Sequence, residues 1–197
     1  MGKIKSALEL ALERTESVKG DRSSIDQFEA KQRGKKLANV FLENPGNGLE
    51  GDLKKCPKEE LEALKQGIFD MLITQINLPV VKDDQRRIES AGKGLQTVIG
   101  DSRFAALYKQ FLQAAAQYLS EADRYDEALR QQYAPKLRQK EAELSRRLGQ
   151  EIRLDPLQDP EFVKLYSQSM VALKENYQGI VDQVREQATL WFGKKNG

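Results

Sequence analysis

Apolar residues recur at three- and four-residue steps along nearly the whole chain, and no convincing two-residue alternation interrupts them. That spacing predicts an all-α protein. Ile4, Leu8, Ala11, Leu12, Thr15 and Val18 give an amphipathic helix over about 3–19, ending before Gly20. Ser24-Ile25-Asp26-Gln27 fits a capping box and opens a second helix over about 24–43. Its inward set is Ala30, Leu37, Ala38 and Phe41, while its middle, Lys31 to Lys36, is polar and carries Gly34. Asn44-Pro45-Gly46-Asn47-Gly48 is the strongest turn signal, and the loop is expected to last to Lys55. Pro57 suits a first helical position, with Glu59 and Glu60 in the turn that the helix dipole favours for acids. The third helix then covers about 57–78 through Leu61, Leu64, Ile68, Met71, Leu72 and Ile76. A fourth spans about 83–99, with Ile88, Ala91, Leu95, Val98 and Ile99 inward.

Beyond residue 100 the pattern changes. After the cap candidate Ser102, positions seven apart read Phe104, Phe111, Tyr118 and Tyr125, and their companions read Tyr108, Ala115, Ala122 and Leu129. These rows make a heptad seam of large beside small side chains. After Asp159-Pro160-Glu161, a matching pair of rows reads Tyr166, Leu173, Ile180, Gln187 and Met170, Tyr177, Val184, Trp191. Pro135 lacks a backbone donor and crowds the Gln131 carbonyl, so the first rod must kink or break there. A kink is expected, because Arg138 to Arg147 is too polar to be buried on several sides. The reading is four shorter helices (residues 1–100) and a long, coiled-coil-like antiparallel hairpin (101–197; helices about 102–152, kinked at Pro135, and 160–192). The whole is expected to be elongated, as two regions or one continuous domain.

Composition then removes chemistry. The chain has no His, so there is no Ser-His-Asp triad, no Cys-His pair and no ordinary side chain poised near neutrality. The Glu-x-x-His sites of helical di-metal proteins fail for the same reason. A lone Cys56 makes neither an internal disulfide nor an all-thiolate zinc site. Its place before Pro57, at a helix start, favours a thiolate slightly, yet no base or resolving thiol accompanies it. With 32 basic and 30 acidic residues the net charge is +2, evenly spread, which speaks against a nucleic-acid partner. Residues 1–18 interleave charges with apolar residues, so no secretory leader is expected, although Met1-Gly2 to Ser6 fits the loose myristoylation pattern.

Three constellations remain. Glu121, Asp123, Asp126 and Glu127 crowd one stretch of helix, which reads as a solvated acidic face balanced by Arg124 and Arg130. Ser90-Ala91-Gly92-Lys93-Gly94 lacks the order of a phosphate loop and lies within a helix. Rings concentrate beyond residue 100 at Phe104, Tyr108, Phe111, Tyr118, Tyr125, Tyr166, Tyr177 and Trp191, where they form a core seam or a groove that another helix fills.

The segment Lys5-Ser6-Ala7-Leu8-Glu9-Leu10-Ala11-Leu12-Glu13-Arg14-Thr15 resembles the start of a small bacterial family of uncharacterised all-helical proteins. The resemblance implies a bacterial cytoplasmic setting and supplies no activity and no functional residues. The expected function is therefore that of a non-enzymatic interaction or scaffold protein, self-associating or binding a protein partner through the seam. No catalytic, cofactor or metal residues, no small-molecule substrate and no nucleic acid are assigned. One alternative is a peripheral membrane adaptor using the amphipathic ends, Gly2 to Lys5 and Trp191 to Lys195. Another is an enzyme working with carboxylates alone, such as Glu121 and Asp126.

Overall fold

The computed structural model describes the backbone of residues 7–196 and the side chains of residues 24–194. Among the described residues the chain forms six α-helices and no strand, as the apolar spacing predicts. They are α1 (Ala7–Glu43), α2 (Glu50–Lys55), α3 (Lys58–Ile73), α4 (Asp84–Ile99), α5 (Ser102–Leu148) and α6 (Pro160–Asn196). Short 3-10 turns lie at Pro45–Asn47 and Pro156–Gln158. No described helix is long and apolar enough to cross a membrane.

The first two expected helices are one. α1 runs through Gly20 and through the capping-box candidate at Ser24, since an interior glycine costs a helix only about 1 kcal/mol. Residues 3–6, the lipidation pattern and the apolar side chains from Leu8 to Val18 lie outside what is described. The loop expected up to Lys55 contains α2, whose Glu50 and Asp52 open it and whose Lys54 and Lys55 close it, matching the helix dipole at both ends. α5 passes through Pro135 without breaking and stops at Leu148. Gly149 ends it with φ +69°, its N–H donating to the Ser145 carbonyl at 2.9 Å. Asp101, not Ser102, caps its start, with Oδ1 accepting from the Arg103 N–H at 2.9 Å.

The chain divides into two units built from separated segments. The first takes the described part of Met1–Ile76, with Arg87–Ala105 and Gln187–Gly197; the second takes Asn77–Arg86 and Ala106–Glu186. The division runs through α5 and α6 and not between residues 100 and 101.

In the first unit α1 and α3 meet backbone to backbone. A methyl group on Gly34 would collide with the Leu64 carbonyl oxygen, and one on Gly67 with that of Lys31. Ala30 and Ala38, one turn either side of Gly34, are fully buried. The polar middle of α1 finds its partners on α3: Lys31 pairs with Asp70 at 2.8 Å and Arg33 with Glu60 at 2.9 Å. Gly94 of α4 makes room for Leu72, Phe41 and Leu49. Phe69 stacks on Phe192 with ring centres 4.2 Å apart. All five inward residues expected of α4 are buried.

In the second unit α5 and α6 pair in antiparallel order. Tyr118 faces Tyr177 at 5.5 Å and Tyr133 faces Phe162 at 5.2 Å between ring centres, so the α6 number falls as the α5 number rises. At the start of α4 the Asp84 carboxylate accepts from the Val80 and Val81 N–H groups of the preceding loop at 2.8 and 3.0 Å. Asn77 accepts from the Arg185 guanidinium at 2.7 Å.

Burial along the two long helices follows eleven residues better than seven, although Tyr108, Ala115 and Leu129 of the companion heptad row are also buried. On α6 Phe162, Leu173 and Val184 are buried in one row, and Tyr177 and Ala188 in the next. On α5 Phe104, Ala115 and Leu137 share such a row, as do Tyr108 and Leu119. Eleven residues make three turns of nearly ordinary helix, whereas a seven-residue row slips by about 20° per repeat. The predicted heptad row accordingly rotates out of the core. Phe104 and Phe111 are buried, Tyr118 is half-buried and Tyr125 is 48 % exposed.

Candidate functional site

The densest polar constellation lies where α6 begins. Asp159 stands just before Pro160, and its Oδ1 accepts the Glu161 N–H at 3.0 Å, which caps the helix. Its other oxygen accepts from Tyr133 at 2.8 Å and from the Lys140 ammonium at 2.7 Å. Lys140 also donates to Glu161 at 2.7 Å, and Lys136 pairs with the same carboxylate at 2.9 Å. Tyr133, Lys136 and Lys140 fall at three- and four-residue steps, so one side of α5 presents them all. Leu129, Tyr133, Leu137 and Phe162 form the apolar cluster at this end, with Leu154 and Tyr166 against it.

The electrostatics are those of mutual neutralisation. The Lys140 hydrogen bond holds the Asp159 carboxyl below its ordinary range against the opposing effect of burial. Lys140 and Lys136 together push Glu161 down to about 2. The two carboxylates raise Lys140 far above a free amine, and burial raises Tyr133. At neutral pH the lysine stays charged and the phenol stays protonated, so neither is a base or a nucleophile. The cluster is a clamp between helices. Beside it lies a shallow pocket of about 330 Å³ lined by Lys140, Leu144, Arg147, Leu154, Gln158 and Asp159.

The predicted seam does not form one patch. Phe104, Tyr108, Phe111 and Tyr177 are buried, Tyr118, Tyr166 and Trp191 are half-buried, and Tyr125 faces solvent. Trp191 lies beneath the Arg103 guanidinium, 5.1 Å from ring centre to Cζ. Glu121 takes a hydrogen bond from Gln117 at 3.0 Å and one from Tyr177, whereas Asp126 is held by Arg130 at 2.9 Å. The two carboxylates therefore serve different partners and share no site. Among the described residues no group of three Cys, Asp or Glu side chains stands ready for a metal ion. Half-buried Cys56 accepts from Arg33 at 3.4 Å. The Ser90 to Gly94 segment lies inside α4 and is buried except at Lys93.

Sequence reasoning read Asp159 as a cap and missed Tyr133, Lys136 and Lys140. In the heptad frame Tyr133 belongs to no row. In the eleven-residue frame it follows Phe111 by two repeats, and that was the available signal.

The comparison that bears on kinship covers the clamp and the two ring pairs of the second unit, over residues 50–189. The chain belongs to DUF6657, a family of unknown function. The match runs from α2 into the last turns of α6, so membership in DUF6657 rests on the elements beyond α1 and not on the opening segment that suggested an uncharacterised helical family. No curated protein and no solved structure matches the chain.

Proposed function

We propose that this DUF6657 chain is a non-enzymatic helical interaction or scaffold protein that works through protein–protein contacts in the cytoplasm. The observation that carries the reading is on α1. Ile25 and Phe28 are 55 % and 64 % exposed, on the side of the helix away from the buried Ala30, Gly34 and Ala38. Two large apolar side chains exposed side by side support a surface that a partner covers. The charges of the clamp are engaged with one another, Lys140 pairing with both Asp159 and Glu161 and Lys136 with Glu161.

The expected seam is a weaker candidate for the contact, since half of its rings are already buried within the chain and only Tyr125 is exposed. The membrane-adaptor reading has less support at this end: Phe192 is buried against Phe69, while half-buried Trp191 lies under Arg103. Light scattering over a concentration series, with Phe28→Glu and Ile25→Glu beside the wild type, tests the proposal. Loss of self-association, or of one defined partner, with helicity unchanged is the expected result. A wild-type monomer at every concentration, with no binding that either variant alters, overturns it. Flotation with anionic liposomes separates the membrane alternative.

A further inference from the structure

We propose that residues 136–158 form a hinged end piece that opens about Pro135, with Lys140 as the latch that fastens it to the first turn of α6. Pro135 is the one proline inside a helix among the described residues, and it leaves the Gln131 carbonyl without its helical donor. α5 is weakest at that turn. The chain beyond it is tied to itself: Glu141 accepts from the Leu154 N–H at 2.8 Å, and Ser145 accepts from the Ile152 N–H at 2.9 Å. The piece can thus move with its internal bonds intact.

Charge pairs fasten it, beside the packing of Leu137 and Leu154 on the apolar cluster and the Asp159 N–H donating to the Pro156 carbonyl at 3.0 Å. Lys140 reaches Asp159 and Glu161, each at 2.7 Å, and Lys136 reaches Glu161 at 2.9 Å. Both lysines belong to the end piece and both carboxylates to the fixed side. The Tyr133 to Asp159 hydrogen bond joins two groups on the fixed side and survives opening. The swing carries Leu137 away and uncovers Phe162, which is fully buried when closed, together with Leu129 and Tyr133. A weak turn stapled by charge, over a small apolar cluster separate from the rest of the core, is a built-in opening unit. This inference stands apart from the partner proposed for α1.

Hydrogen exchange with mass spectrometry on the full chain tests it. In the wild type, peptides within 136–158 should exchange together and sooner than those within 166–184. Lys140→Met should speed that group by about tenfold and leave α3 and α4 unchanged, as local opening requires. Pro135→Ala should slow it. If Lys140→Met does not fold, the wild type at 0.5 M against 0.05 M salt should show the same selective acceleration, because screening weakens the latch. Exchange of 136–158 in step with 166–184 overturns the proposal. So does acceleration spread over the whole chain, or no response to both the variant and salt.

Discussion

Gly34 and Gly67 hold their places for lack of a side chain. Each sits where a methyl group would strike the carbonyl oxygen of the opposite helix, and backbone cannot swing aside as a side chain can. Gly67→Ala and Gly34→Ala should each destabilise the fold by about 3 kcal/mol, at the upper end of overpacking costs. Gly46→Ala, with open space around it, should change little. Thermal unfolding of the three variants checks this, and equal melting temperatures would contradict the backbone crossing. At the clamp, Glu161 has an ordinary value of 4.5 and is held near 2 in the folded chain. A carboxyl lowered by folding stabilises above its unfolded value and loses that contribution as pH falls towards the folded one. Wild-type stability should therefore drop between about pH 4.5 and 2, and Glu161→Gln should start lower at neutral pH and fall less over that window. Melting curves at stepped pH measure the difference.

Single helices were legible where one apolar face was buried. Ile88, Ala91, Leu95, Val98 and Ile99 could be read from α4 because their spacing and their burial coincide. The long helices were harder. A seven-residue row fits Phe104 and Phe111, but by Tyr125 the accumulated slip is about 60°, and that ring reaches solvent. Gly34 was legible as a glycine and illegible as a crossing point, since only the facing Gly67 explains it. The clamp was hidden for a similar reason: Lys140 and Asp159 lie nineteen residues apart and meet only through the antiparallel pairing. Phe162→Ala should cost about 3–5 kcal/mol, as for other fully buried rings, while Tyr125→Ala should stay within about 0.5 kcal/mol. Denaturant titration of both variants separates the eleven-residue frame from the heptad, which predicts a loss at Tyr125 too. Gly179 lies inside α6 with open space around it, so Gly179→Ala should stabilise by about 0.5–1 kcal/mol.

For the molecule as a whole, the absence of His sets the pH response. The clamp's carboxylates titrate below their ordinary values and Lys140 above its ordinary 10.5. A lysine raised by folding keeps its contribution below the unfolded value and loses it only as pH climbs beyond. The melting temperature should accordingly be nearly flat between about pH 6 and 8. A steep change there, followed by calorimetry, would reveal a strongly perturbed group outside the clamp.

The stacking of Phe69 on Phe192 has a consequence for how the protein is made. A ribosome releases α1, α3 and α4 long before codon 192 is read, so those helices wait in the cell without the ring that closes their core. Nascent chains stalled after residue 150 should bind holdase chaperones through that gap, and chains that have cleared the exit tunnel should let them go.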